Sequence, residues 1–322
     1  MMTRGAQAQR KVEFSPEPTK ERQTFAAPAR LPRLSDYAGI FLIAGSVLLF
    51  ELALTRIFAV ILWAHLAFMV VSTALFGFGL SGVYLALRPR AVVNRRANLS
   101  LLALIVAVAI LGAYWTVVNV PFQMWNFHED SSNFLKLALW YGALVVPFFF
   151  AGLLIAELLS SYPARSARLY GVDLLGAAAG SLALIPVIPY AGGVGTVVVA
   201  AVCAALAALC LARPEQRTMR GATLALLAVL AWLVPNADEV LPLQYHQNKR
   251  RFNTAVDNDQ ILATRWSPLS KVDIAVHRQD IYDIWIDGGT NESAIYAWSG
   301  NLETLQPLEW HSSAAIYAVK RG

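Results

Sequence analysis

Residues 37–87 read YAGIFLIAGSVLLFELALTRIFAVILWAHLAFMVVSTALFGFGLSGVYLAL, and Glu51 and Arg56 are the only Asp, Glu, Lys or Arg residues among them. A helix needs roughly 20 apolar residues to cross a bilayer, so this stretch holds two crossings joined by a short link. Charges inside such a run are rare and need either a partner or a function. The rest of the chain repeats the pattern. It is 57% hydrophobic and 15% charged over 322 residues, against about a quarter charged in an ordinary soluble domain.

The net charge of +5 raises the question of nucleic acid. The Lys and Arg residues answer it, because they fall in short loops between apolar runs, where they orient a membrane protein. The sequence therefore assigns a lipid bilayer and no nucleic acid as partner. Residues 1–36 are polar, basic and contain four prolines, a composition that reads as a disordered cytoplasmic arm rather than a cleavable signal.

Seven apolar runs follow, at about 37–62, 66–87, 99–118, 134–158, 169–188, 194–212 and 221–234. The fifth and sixth share a charge-free stretch from Leu174 to Ala212. Pro186, Pro189 and Gly192-Gly193 mark the turn that divides it. Basic residues lie in the arm and after the second, fourth and sixth runs: Arg88, Arg90, Arg95 and Arg96, then Arg165 and Arg168, then Arg213, Arg217 and Arg220. The loops after the first, third and fifth are almost free of them. This alternation puts the N-terminus in the cytoplasm. Seven crossings put the tail outside, and six keep it inside.

The tail, 236–322, is polar. Val272, Ile274 and Val276 alternate with Asp273, Ala275 and His277, and Tyr282, Ile284 and Ile286 alternate with Asp283, Trp285 and Asp287. Period two with a closing Asp287-Gly288-Gly289 reads as strands and a turn. Residues 303–319 read as a helix. The fold class is an all-α polytopic membrane bundle of about seven transmembrane helices, residues 37–235, followed by a small β-rich soluble tail that needs a partner to complete its core.

The intramembrane polar candidates are Glu51, Arg56, Glu157 and Asp173. They have two readings, as helix-packing contacts or as a transport or ligand site. Glu51 and Arg56 are about 140° apart around a helix and form no ideal pair. Glu157, Asp173 and Arg168 share a depth near the inner surface and can cluster there. Gly77-Phe78-Gly79-Leu80-Ser81-Gly82 matches a dinucleotide pattern, but inside an apolar helix its glycines serve close packing. Gly176 and Gly180 read the same way. Cys203 and Cys210 read as packing residues. His65, His128 and His246 stand alone, and no metal-ligand spacing occurs.

Three stretches carry a family resemblance: FELALTRIFAVILWAHLAFMVVSTALFGFGLSG, RLYGVDLLGAAAGSLALIPVIPYAGG, and TRWSPLSKVDIAV with IYDIWIDGGTNESAIY. Together they resemble bacterial membrane proteins in which a spermidine synthase-like domain follows a transporter-like bundle. The resemblance implies that the tail is the N-terminal lid of an aminopropyltransferase. It also implies a following domain, downstream or separately encoded, that binds S-adenosylmethionine or its decarboxylated form. Soluble spermidine synthases carry Leu-Asp-Gly-x-x-Gln and then Tyr-His in the lid. Here Ile286-Asp287-Gly288-Gly289-Thr290-Asn291 resembles the first, and Trp310-His311 the second. Asp287, Asn291 and His311 are thus the polyamine-side candidates that the resemblance implies, with Ser312 where an acidic residue normally follows. The chain ends at Val319-Lys320-Arg321-Gly322, where the family's nucleotide-binding strand would begin. The expectation is that this chain has no catalytic residue or cofactor of its own and does not transfer an aminopropyl group alone. The open alternatives are a transporter or small-molecule binding bundle, and a non-catalytic scaffold.

Overall fold

The computed structural model describes residues 31–62, 67–87, 99–120, 131–245, 249–278, 281–296 and 300–301. The N-terminal arm up to residue 30, the link at 63–66, the basic loop at 88–98 and the expected helix at 303–319 lie outside the described residues. So do His65, His128, His246 and His311.

Helices α1 (Leu34–Ile61), α2 (Phe68–Leu87), α3 (Leu99–Asn119) and α4 (Ser132–Ser161) follow the first four apolar runs. The fifth, α5 (Ser166–Leu211), is 46 residues long but is broken at Gly192, where φ is +68°. Packing shows that it doubles back there. In its first arm, 166–191, a Cβ at Gly176 would meet Phe41, and one at Gly180 would meet Gly45. In its second arm, 193–211, Leu211 meets Gly39 and the Ala200 carbonyl accepts a hydrogen bond from Ser46 at 2.6 Å. The first arm thus rises parallel to α1 and the second returns antiparallel to it. The division expected between 188 and 194 is this reversal, and Gly192 supplies the backbone angle that other residues rarely adopt.

Among the described residues, five helices, counting α5 once, are long and apolar enough to cross a membrane. The expectation of about seven is therefore met in part. Its fifth and sixth members are the two arms of α5. Its seventh is α6 (Arg217–Leu233), 17 residues long, about 25 Å at 1.5 Å per residue. Although shorter, α6 runs back along α5. It starts beyond Leu211 and ends with the Val234 carbonyl and Ala237 against Gly195.

The bundle is a multi-pass, membrane-type helical assembly. α1 lies at its centre, with Ile40, Ile43, Val47, Phe50, Leu54, Ile57 and Phe58 fully buried. α2 lies at the rim and exposes Leu75, Phe76, Leu80 and Val83, as lipid-facing side chains do. Within GFGLSG, Gly77 abuts Phe148, and Gly79 and Gly82 face open space. The segment is helical throughout, which removes the strand that a dinucleotide loop requires.

The two ends of the bundle differ. Tyr162 donates a hydrogen bond to Asp36, which joins the end of α4 to the start of α1. Leu211 packs on Gly39 at the same level. Arg33, Arg165, Arg168, Arg213, Arg217 and Arg220 therefore share one end. The opposite end collects the C-termini of α1 and α3, the reversal at Gly192 and the short α7 (Ala237–Val240).

Beyond α7, the tail forms α8 (Arg250–Asp257) and then four antiparallel strands in sequence order: β1 (Ile261–Trp266), β2 (Lys271–Arg278), β3 (Ile281–Ile286) and β4 (Asn291–Tyr296). Two strands are those expected, while α8, β1 and β4 are additional. Phe252, Ala255, Ala275 and Trp285 make a small core of the module's own, and Trp266 joins the bundle's core.

Candidate functional sites at the junction and within the bundle

Four contacts fix the module to the bundle. Arg56, near the end of α1, donates to the Leu269 carbonyl in the β1–β2 turn at 2.6 Å. The Trp266 ring lies where a Cβ on Gly193 would stand 2.7 Å from it. Tyr114 of α3 donates to the Leu241 carbonyl at 3.0 Å. The Lys249 ammonium donates to the Val60 carbonyl at 2.5 Å and to the Asp287 carbonyl at 2.6 Å. Val60 lies in the last turn of α1, where orphan carbonyls attract cations. Asp238 sits beside Gly192, and burial raises its pKa against the opposing charge of Lys271.

Burial lowers the Lys249 pKa from 10.5 to about 8, with Asp287 opposing the shift. Between those values the unfolded chain binds the proton and the folded chain does not, so stability rises with pH across that window. The full change is roughly 3 kcal/mol. Thermal unfolding of the detergent-solubilised chain should show melting rising from pH 8 to 10, and Lys249→Met should flatten the rise. An unchanged slope in that variant refutes the assignment.

A second buried charge lies deeper in the module. Lys271 and Asp273, two apart on β2, face the same side of the sheet and meet at 2.5 Å with both side chains at most 5% exposed. Thr264 donates to the same Asp273 oxygen at 2.6 Å. The ammonium of Lys271 also lies 5.4 Å from the Tyr245 ring and 5.3 Å from the Phe252 ring. The more buried face of the sheet is thus the Lys271, Asp273, Ala275, Asp283 and Trp285 face, while Val272, Ile274 and Val276 are half-buried. Alternation alone would have chosen the opposite face. The opposite charges at i and i+2 were the available signal.

Beside this core an open cleft of about 280 Å³ is lined by Arg250, Arg251, His277 and Asp283 among others. Three of these four side chains already have partners. Arg251 pairs with Glu292 at 2.7 Å, and His277 with Asp283 at 3.1 Å. The exposed Arg251–Glu292 pair contributes little.

Of the polyamine-side candidates, Asp287 alone has a described side chain. Asp287, in the turn after β3 with φ of +50°, accepts the Lys271 backbone N–H at 2.8 Å, so that carboxylate oxygen serves the turn. Asn291 opens β4, paired with Ile286, and its side chain lies outside the described part of the molecule. His311 lies outside it altogether.

The intramembrane candidates separate too. Glu51 is half-buried on α1 with no hydrogen bond or ion pair among the described residues. Arg56 belongs to the junction. Glu157 is buried near the end of α4. Among the described residues no ion pair joins Arg168 to Asp173. Asp173 instead lines a cavity of about 350 Å³ with Ala44, Val47, Phe78, Ser81 and Ile155. Its Oδ1 is buried and has no hydrogen-bond partner. No three His, Cys, Asp or Glu side chains converge on a metal geometry among the described residues.

These features define a class: a bundle of membrane-length helices with a small antiparallel sheet docked on one end. No family model, curated protein or solved structure matches the chain. The spermidine synthase-like resemblance therefore rests on the sequence motifs alone.

Proposed function

We propose that the chain is the integral membrane portion of a spermidine synthase-like protein, a bundle that carries a lid-like β-module for an aminopropyltransferase. The observation that carries this reading is the four-strand meander β1–β4 with its Asp287-Gly288-Gly289 turn, since the resemblance implies lid strands in that segment. The nucleotide-binding domain and its S-adenosylmethionine-type donor belong to the same proposal.

The proposed topology has seven crossings: α1 to α4, the two arms of α5, and α6. The six arginines at one end make that end cytoplasmic by the positive-inside rule, and long polar segments translocate largely regardless of their charge. The module then lies on the opposite face. A nucleotide-binding domain continuing from it lies there as well, away from cytosolic donor. This tension is the sharpest test of the transferase reading.

Two measurements probe it. With Cys203 and Cys210 replaced by alanine, single cysteines at exposed Asp257 and Ala164 are treated with an impermeant maleimide on intact cells. The expected result is labelling at 257 without lysis and at 164 only after it. The reverse pattern, or protection of both, refutes the topology. The chain is also co-expressed with soluble nucleotide-binding transferase domains and assayed for transfer from decarboxylated S-adenosylmethionine to putrescine. Transfer that is unaffected by deletion of residues 249–296 refutes the lid role.

One observation favours a second reading, a small-molecule binding bundle. It is the Asp173 cavity, whose wall is apolar except for Ser81 and one unpaired carboxylate oxygen.

A further inference from the structure

We propose that the cavity between α1, α2, α4 and α5 is a lipid site, which holds the ammonium of an ethanolamine-headgroup phospholipid at Asp173 and part of one acyl chain beyond it. The proposal deepens the small-molecule reading and rests on the bundle crossing a bilayer, not on the transferase reading.

Depth orders the site. Gly176 abuts Phe41 and Gly180 abuts Gly45, so the register places Asp173 level with about residue 38 of α1. That is four residues, about 6 Å, from the start of α1. Leu48, at the other end of the lining, lies about 15 Å deeper by the same rise. The carboxylate therefore stands at the arginine-bearing edge of the bundle, and Ala44, Val47, Leu48, Phe78 and Ile155 form the wall leading inward. A molecule that fills this slot needs a cation at the membrane edge and hydrocarbon beneath it.

The charge pattern narrows the choice. Asp173 Oδ1 is buried with no partner, and Arg168, the nearest arginine along α5, does not pair with it. Asp173 as a whole is half-buried, and a buried carboxylate oxygen that lacks a donor is unfavourable and attracts a hydrogen-bonding cation. A primary ammonium can donate to it. A quaternary choline group cannot, and glycerol headgroups bring no cation. The phosphate of the same lipid would face outward, where Arg33, Arg165 and Arg213 lie. Ser81 adds no competing demand at the cavity wall, because its hydroxyl already donates to the Phe78 carbonyl at 2.7 Å. The volume, about 350 Å³, is at the small end for ligand sites and suits a segment of one chain rather than a whole lipid.

The test uses the full chain purified in detergent and exposed to equal amounts of phosphatidylethanolamine, phosphatidylcholine and phosphatidylglycerol with matched acyl chains. Native mass spectrometry reads which lipid remains bound. The expected result is retention of the ethanolamine lipid over both others by roughly tenfold, the scale of one charge-assisted hydrogen bond. Asp173→Asn keeps the shape and should abolish the preference, while Asp173→Glu should restore part of it. Ala177→Phe, which fills the slot, should lower ethanolamine-lipid retention while leaving the helical circular dichroism unchanged. Equal retention of the three lipids by the wild-type chain overturns the proposal, as does an undiminished preference in Asp173→Asn. If the bilayer reading itself were wrong, the chain would appear in the soluble fraction before any lipid was added, so the two failures are distinguishable.

Discussion

Leucine at position 180 is expected to take apart the tightest helix contact in the bundle. A Cβ built on Gly180 stands 2.1 Å from the Gly45 carbonyl oxygen and 2.6 Å from the Gly45 Cα. Both are backbone atoms, so no rotamer change can relieve the overlap. Gly176, one turn earlier, stands in the same relation to the Phe41 carbonyl at 2.3 Å. Helices α1 and α5 must therefore separate, and the separation also weakens the Ser46 hydrogen bond to the Ala200 carbonyl. Without a hydrophobic driving force between helices in lipid, such close packing is the main source of association. Overpacking usually costs about 1–3 kcal/mol, and a clash with backbone belongs at the top of that range. Thermal unfolding in detergent should show a loss of roughly 3 kcal/mol for Gly180→Leu. Gly112 on α3, with nothing within 4 Å of its Cβ position, provides the control, and Gly112→Leu should stay within about 0.5 kcal/mol. If both variants melt together, the glycine contact does not hold the bundle.

The contrast between those two glycines shows what a sequence discloses. Both lie in apolar helices, and only Gly176 and Gly180 carry the four-residue spacing that marks a helix seam. Span length was legible for a similar reason, because bilayer thickness imposes a run that composition reveals directly. Leu34–Ile61 and Leu99–Asn119 begin and end within three residues of the expected limits. The reversal in α5 was legible from Gly192 and two prolines. The role of Arg56 was not. Its partner is a backbone carbonyl 213 residues away, and a carbonyl leaves no trace in residue types. Asp173 was legible as an anomaly, but its cavity depends on how four helices meet. In the module the strands were legible, but the buried face of the sheet was not. Its better-buried sheet face carries Lys271, Asp273 and Asp283, so hydrophobic alternation pointed to the other side.

Lys271→Met is expected to unfold the module while leaving the bundle intact. Asp273 is fully buried, and its Oδ1 accepts from both Lys271 and Thr264. Its Oδ2 has no hydrogen-bond partner in the structure, so the carboxylate has no reserve of donors. Removal of the ammonium leaves a buried charge held by one hydroxyl. Loss of one member of a buried pair typically costs about 3–5 kcal/mol. The module's own core is four side chains, Phe252, Ala255, Ala275 and Trp285, too few to absorb that loss when whole domains hold only about 5–15 kcal/mol. The bundle core shares none of these side chains. Hydrogen exchange should therefore lose protection in β2 and β3 and keep it in α1 and α5. A double change, Lys271→Met with Asp273→Leu, removes the charge as well as its partner and should recover most of the protection, because a well-packed apolar replacement is often neutral or stabilising. Equal protection in the single and double variants would show that the pair is incidental. The outcome also bears on the lid proposal. The buried pair and the Lys249 contacts tie the sheet firmly to the end of α1, so a lid built this way acts as a fixed wall to whatever domain meets it.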